Sequence, residues 1–216
     1  MSKKIKTGFL CILLMTLVAC GKKEKTDQKD RQQYDASSVL LHADGTVTEN
    51  IIEHFDEEEY DVNALQLMID TQVAEYNASY SEGAKGEAEE LDETDEPVPV
   101  VACIFFSVES NVALVTMEYS SVEHFRNFNC ADIFVGSVEE AITKGYDISE
   151  NTDYATGKAV ADDVILENKD KKICIIGFPY SIEVEGKVLF YGKTMVSEGS
   201  NRVAVKNGNS GYVIYE

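Results

Sequence analysis

From residue 172 onward the chain is a succession of short Val/Ile/Tyr-rich runs: 172–178, 181–185, 187–191, 202–205 and 212–215. Gly186, Gly192, Gly199, Gly208 and Gly211 punctuate them. Runs this short, broken every 8–12 residues or so by turn residues, leave no room for long helices and predict an antiparallel meander or sandwich. Glu185-Gly186-Lys187 reads as a tight hairpin within it.

The first half of the chain has a different period. Ser38-Val39-Leu40-Leu41-His42-Ala43 and the run from Thr46 through Ile51, Ile52 and Phe55 flank Asp44-Gly45, a strong hairpin signal. Asp61 then caps a helix whose apolar residues Val62, Leu65, Met68, Ile69, Val73 and Tyr76 follow one face at 3.6-residue spacing. Residues 79–97 are acidic and poor in groups that could be buried, which predicts a mobile loop. Residues 98–108 are apolar throughout, as a central strand buried on both faces would be, and 112–119 returns beside them. Ser120 with Glu123 and Ser137 with Glu140 have capping-box spacing. They predict short helices at 122–129 and 138–144, with a strand at 132–135 between them and Gly145 as a stop. Val160, Val164, Ile165 and Leu166 suggest one strand within 152–168. Helices grouped early and strands late predict an α+β fold: an N-terminal hairpin and an amphipathic helix packed on a mainly antiparallel sheet, with a β-rich C-terminal half.

The N-terminus carries an address. Lys3, Lys4 and Lys6 precede a stretch, Gly8 to Val18, that is apolar except for Thr16. That is the basic-then-apolar layout of a secretory signal, and the whole segment from Ile5 to Ala19, roughly 15 residues, is short of the about 20 a spanning helix needs. Leu17-Val18-Ala19-Cys20 follows. This tetrapeptide resembles the lipobox of bacterial surface lipoproteins, and the resemblance implies cleavage after Ala19 and diacylation of Cys20. The layout of lipobox, polar tether, Asp-Gly hairpin and acidic segment resembles small lipoproteins of Gram-positive anaerobes, as does the Val213-Ile214-Tyr215 ending. That group lends a location and no activity. The expected organisation is therefore a signal peptide at 1–19, a lipidated cysteine with a flexible polar tether at 20–36, and one acidic domain at 37–216. Extended, the tether reaches about 55 Å.

Formal charge is −20 and becomes more negative once Lys3, Lys4 and Lys6 are removed, so the surface repels nucleic acid and anionic headgroups. Cys103 and Cys174 lie in strand-like apolar runs and read as buried thiols, with a single disulfide as the alternative. Cys130, near His124 and Asp132, reads as a helix-end hydrophobe before a nucleophile. His42 and His54 share the first hairpin while His124 stands apart, and no histidine pair has metal-site or HExxH spacing. Asp56-Glu57-Glu58-Glu59, Asp61 and the run from Asp92 to Glu96 offer oxygen ligands, but without EF-hand spacing they read as solvated faces. GxSxG, SxxK, GxGxxG and the P-loop pattern are absent. Tyr180, Phe190, Tyr191, Tyr212 and Tyr215 read as core, with a sugar or peptide groove as the alternative.

The sequence thus predicts a non-catalytic binding or structural module without cofactor or metal, lipid-anchored on the extracytoplasmic face of the cell membrane through Cys20. Its partners are that membrane and a protein or small-molecule ligand, with no nucleic acid. The rival readings are an envelope-polymer hydrolase and a small solute-binding lipoprotein. Replacing the acylated thiol tests the anchor: Cys20→Ser should move the protein from the detergent phase to the aqueous phase on partitioning, and unchanged partitioning would refute lipidation.

Overall fold

The computed structural model describes residues 36–55, 61–84, 98–109, 111–206, 208 and 210–216. The fold is α+β. Its strands are β1 (Ser38–Leu41), β2 (Val47–His54), β3 (Val101–Glu109), β4 (Val112–Tyr119), β5 (Ile133–Ser137), β6 (Asn151–Asp153), β7 (Ala159–Val160), β8 (Lys172–Ile176), β9 (Ser181–Val184), β10 (Val188–Gly192), β11 (Met195–Gly199), β12 (Arg202–Val205) and β13 (Gly211–Tyr215). The helices are α1 (Val62–Ala84), α2 (Val122–Asn129), α3 (Val138–Thr143) and α4 (Asp162–Glu167). One sheet has the order β11-β12-β9-β1-β2-β4-β3 and the other β5-β8-β13-β10-β6-β7. Among the described residues only the β1–β9 pair is parallel.

Local chemistry accounts for the N-terminal elements. Gly45 takes φ 92° in the β1–β2 turn. Asp44 Oδ1 accepts the Thr46 N–H at 2.9 Å and the Thr46 hydroxyl at 2.7 Å, closing the loop from the side. Asp61 Oδ1 accepts the Asn63 and Ala64 amides at 2.9 and 3.3 Å, starting α1 as the cap signal predicts. The helix then continues through Ala84, so the first residues of the stretch expected to be loop are helical. The rest of that stretch, 85–97, lies outside the described residues. Ser121, rather than Ser120, caps α2 and accepts the His124 amide, while Ser137 and Glu140 form the full reciprocal box on α3.

Two cores sit on opposite faces of the second sheet. On one face, Cys174, Val213, Tyr215 and Tyr191 join Val39, Leu41, Ile182, Val203 and Met117 of the first sheet, together with Phe125 of α2. Half-buried Ile69, Val73 and Tyr76 of α1 pack on the same cluster. On the other face, Ile173, Tyr212, Ile214 and Phe190 pack on Val138 and Ala141 of α3 and Ile165 of α4. β13 is therefore buried along its whole length.

Several expectations are corrected here. Residues 101–109 form an edge strand, not a central one, and Ile104 is 53% exposed beside a bulge between Cys103 and Phe105. α1 covers one face of this strand and clamps its start. Asn77 Nδ2 donates to the Val101 carbonyl at 2.8 Å, and Asn77 Oδ1 accepts the Val100 and Val101 amides at 3.0 Å each. Residues 162–167 form α4 instead of a strand, because Ile165 faces α3 across a short helix with Asp162 and Asp163 in its first turn. Glu185-Gly186-Lys187 is not a hairpin: β9 belongs to the first sheet and β10 to the second, so the chain crosses between layers there. β11 was not foreseen, since Ser197, Glu198 and Gly199 dilute its apolar character. Its turn to β12 places Ser200 and Asn201 at φ 51° and 59°, the geometry of a tight hairpin loop.

At the crossover, Lys187 and Glu216 exchange backbone hydrogen bonds of 2.8 and 3.0 Å. A side chain at Gly186 would overlap the Glu216 carbonyl, so glycine is there for close backbone approach. Gly186→Ala should break that pairing and cost about 1–3 kcal/mol of stability, read from urea denaturation midpoints.

Candidate functional site

The residues singled out from sequence do not assemble into one centre. Cys20 and the acidic runs at 56–59 and 92–96 lie outside the described residues. Cys103, Cys130 and Cys174 are free thiols: Cys174 is buried in β8, Cys103 is half-buried in β3, and Cys130 is exposed as the left-handed cap of α2. Cys130 is thus at the helix end as expected, though not as a hydrophobe. Nor does it meet a base, because His124 packs edge-on against Tyr76 and Tyr80 in the α1–α2 seam. His42 follows β1 at the turn end of the hairpin, whereas His54 ends β2 at the far end. Among the described residues no group of three or more His, Cys, Asp or Glu side chains could hold a metal ion.

His42 does acquire partners that no local spacing announced. Its Nδ1 lies 2.7 Å from Glu185 Oε1 and its Nε2 lies 2.8 Å from Thr48 Oγ1. With Nδ1 protonated, the imidazole donates to Glu185 and accepts the Thr48 hydroxyl. Glu185 Oε2 also accepts the Ala43 amide at 2.8 Å. These bonds hold its carboxyl below the usual range and tie the first turn to the end of β9.

Glu49 is a second polar group that only the tertiary structure identifies. It points inward between Val47 and Ile51 on the core face of β2 and is 3% exposed. Tyr119 donates its hydroxyl to Glu49 Oε2 at 2.6 Å, and Asn129 Nδ2 reaches the same oxygen at 3.2 Å and the tyrosine oxygen at 2.9 Å. Burial pushes this carboxyl up to about 7, against the opposing pull of the two hydrogen bonds. Tyr119 and Tyr180 close by are both raised by burial and by the Glu49 charge. The cluster joins β2, β4 and the C-terminus of α2 inside the shared core.

The open site is a cleft of about 380 Å³ at one end of the second sheet. It is lined by Ile176 at the end of β8, Gly177 just after it and Gly211 at the start of β13, whose ladder pairs Gly211 with Ile176. A side chain at 177 would overlap the Asp132 carboxyl, and one at 211 would overlap Met195. On one wall stand Asp132 and Phe134, on another Tyr146, Asp147 and Ser149, and on a third Lys193 and Thr194.

Each wall has a local reason for its position. α3 ends in a Schellman turn: the Gly145 amide bonds Ile142 O at 2.9 Å and the Tyr146 amide bonds Ala141 O at 3.1 Å. Gly145 takes φ 84°, and Tyr146 is thereby turned back to stack on Phe134, ring centroids 5.0 Å apart. Asp147 Oδ1 accepts the Ser149 amide at 3.0 Å and its hydroxyl at 2.6 Å, which lowers the acid's pKa. The Tyr212 hydroxyl lies 2.9 Å from Ser149 O and 3.1 Å from Asn151 Oδ1, pinning the same loop to β13. Lys193 is ion-paired to Glu150. The Asp132 carboxylate has no hydrogen-bond or ion-pair partner among the described residues.

Of the aromatic residues read as core, Phe190, Tyr191, Tyr212 and Tyr215 are buried, and Tyr212 also lines the cleft. The grouping of the other lining residues was not legible in the sequence, because they come from segments around 132, 146, 176, 193 and 211. The glycines at 177 and 211, each beside an aromatic residue at a strand end, were the signal that was there.

No known protein family, curated protein or solved structure matches the chain.

Glu49 makes a pH-dependent contribution with a definite sign. Its carboxyl is protonated more readily in the folded protein than at the ordinary value of 4.5, so folding takes up a proton between pH 4.5 and about 7. Stability should therefore fall as pH rises through that window and level off above it. Glu49→Gln keeps an acceptor for Tyr119 and removes the titration. The stability difference between variant and parent should grow by about 3 kcal/mol from pH 4.5 to 8, read from urea midpoints.

Proposed function

We propose that this protein is a membrane-tethered extracytoplasmic binding module, held by lipid at Cys20, that presents the Tyr146 cleft to a small ligand. The observation that carries the reading is the cleft itself. Its volume lies within the roughly 300–1,000 Å³ of small-molecule sites, and it combines an aromatic wall with a few fixed polar groups. It sits at the ends of strands buried on both faces, so its walls are held by the core and little ordering is needed on binding.

One observation favours a second reading, a hydrolase of envelope polymers. Glu185, His42 and Thr48 follow the order orienter, base, hydroxyl of an acyl-transfer relay. This relay ranks second because the Glu185 side chain is 48% exposed, where water competes for each of its bonds. Hydrolysis of p-nitrophenyl acetate that disappears in both His42→Ala and Thr48→Ala would reverse the ranking.

Thermal unfolding of the full chain against monosaccharides, amino acids, short peptides and divalent ions tests the binding reading. A ligand at 100 times its Kd should raise the midpoint by about 5–11 °C. Tyr146→Ala should abolish that shift while leaving the unliganded midpoint close to the parent's. A panel without any shift, or a shift indifferent to Tyr146, overturns the reading.

A further inference from the structure

Resting on the binding reading above, we infer that the ligand of the Tyr146 cleft is a neutral or amine-bearing saccharide of roughly one or two rings. Two features of the cleft converge on that chemistry.

The first is the aromatic wall. Tyr146 is 38% exposed, is backed by Phe134 and is fixed by the Schellman turn, so it offers a flat π surface that does not have to be ordered. The ring face of a sugar presents polarised C–H groups, which suit the negative face of an aromatic ring.

The second is an excess of acceptors. Among the described residues Asp132 has an unpartnered carboxylate, and Asp147 lines the same cleft. Each carboxylate accepts several hydrogen bonds and donates none, so the cleft matches a ligand dense in O–H or N–H donors. The Thr194 hydroxyl adds a group able to donate or accept.

The same features argue against other classes. Asp132 and Asp147, on a chain of net charge −20, disfavour phosphates and uronic acids. A purely apolar ligand would leave the Asp132 carboxylate desolvated and unpaired. A calcium ion takes about six to eight oxygens, whereas two separated carboxylates line this cleft.

The experiment uses the full chain on a glycan array, followed by calorimetric titration. The sugar probes are N-acetylglucosamine, glucosamine, galactose and chitobiose, with glucuronic acid and glucose 6-phosphate as anionic counterparts. Glycine, spermidine and Ca²⁺ serve as non-sugar probes. A neutral or amino sugar should bind, and the anionic counterparts should fail. Tyr146→Ala and Asp132→Asn, both at exposed positions, should each weaken binding about tenfold or more while melting like the parent. Absence of sugar binding, binding unchanged in both variants, or preference for an anionic sugar overturns the inference. If a non-sugar probe binds instead and is lost in the same variants, the saccharide assignment fails and the binding reading stands. If no probe responds to either variant, both fail.

Discussion

The structure depends on the burial of β13 on both faces. Tyr212 and Ile214 pack towards α3 and α4, while Val213 and Tyr215 pack into the core shared with the first sheet. A strand with no solvated face needs a neighbour on every side, and here β8 and β10 supply the ladder while two separate clusters supply the layers. Apolar burial stabilises in proportion to area, so a strand buried throughout is the most effective seed for both cores. The backbone pairing of Lys187 with Glu216 extends that arrangement to the last residue. Its tight geometry explains why the chain changes sheets at a glycine.

Against this apolar background Glu49 stands out. A carboxylate inside a core is costly, and the fold meets the cost with two hydrogen bonds and a shifted proton affinity. Three elements meet at that side chain, so its protonation is coupled to the docking of α2 on β4. The cleft is the opposite case: its carboxylates face solvent, and the apolar strands behind them serve as a rigid support.

Several elements were legible because their causes are local. Asp44-Gly45 turns the chain through its own side chain and a positive φ, Asp61 starts α1 by capping adjacent amides, and Ser137 with Glu140 closes α3 within one turn. Other features were illegible for the complementary reason. The apolar run of β3 carries no information about whether a neighbour pairs with it on one side or two, and α1 covering it mimics the composition of a central strand. Ile165 satisfies a strand or a helix equally well until α3 lies opposite it. A glycine between two strand-like runs reads as a hairpin whether the second run folds back or moves to another layer.

The sequence by itself determined the turns, the caps, the helical period of α1, the strand-rich C-terminal half and the strongly acidic surface. Each depends on residues within a few positions of one another, or on composition alone. Tertiary structure alone decided which sheet each strand joins, which acid is buried and which residues line a cleft. Strand pairing and desolvation depend on groups far apart in the chain: Glu49 needs Tyr119 and Asn129, His42 needs Glu185, and Asp132 lines one cleft with Tyr146 and Lys193 through the tertiary fold.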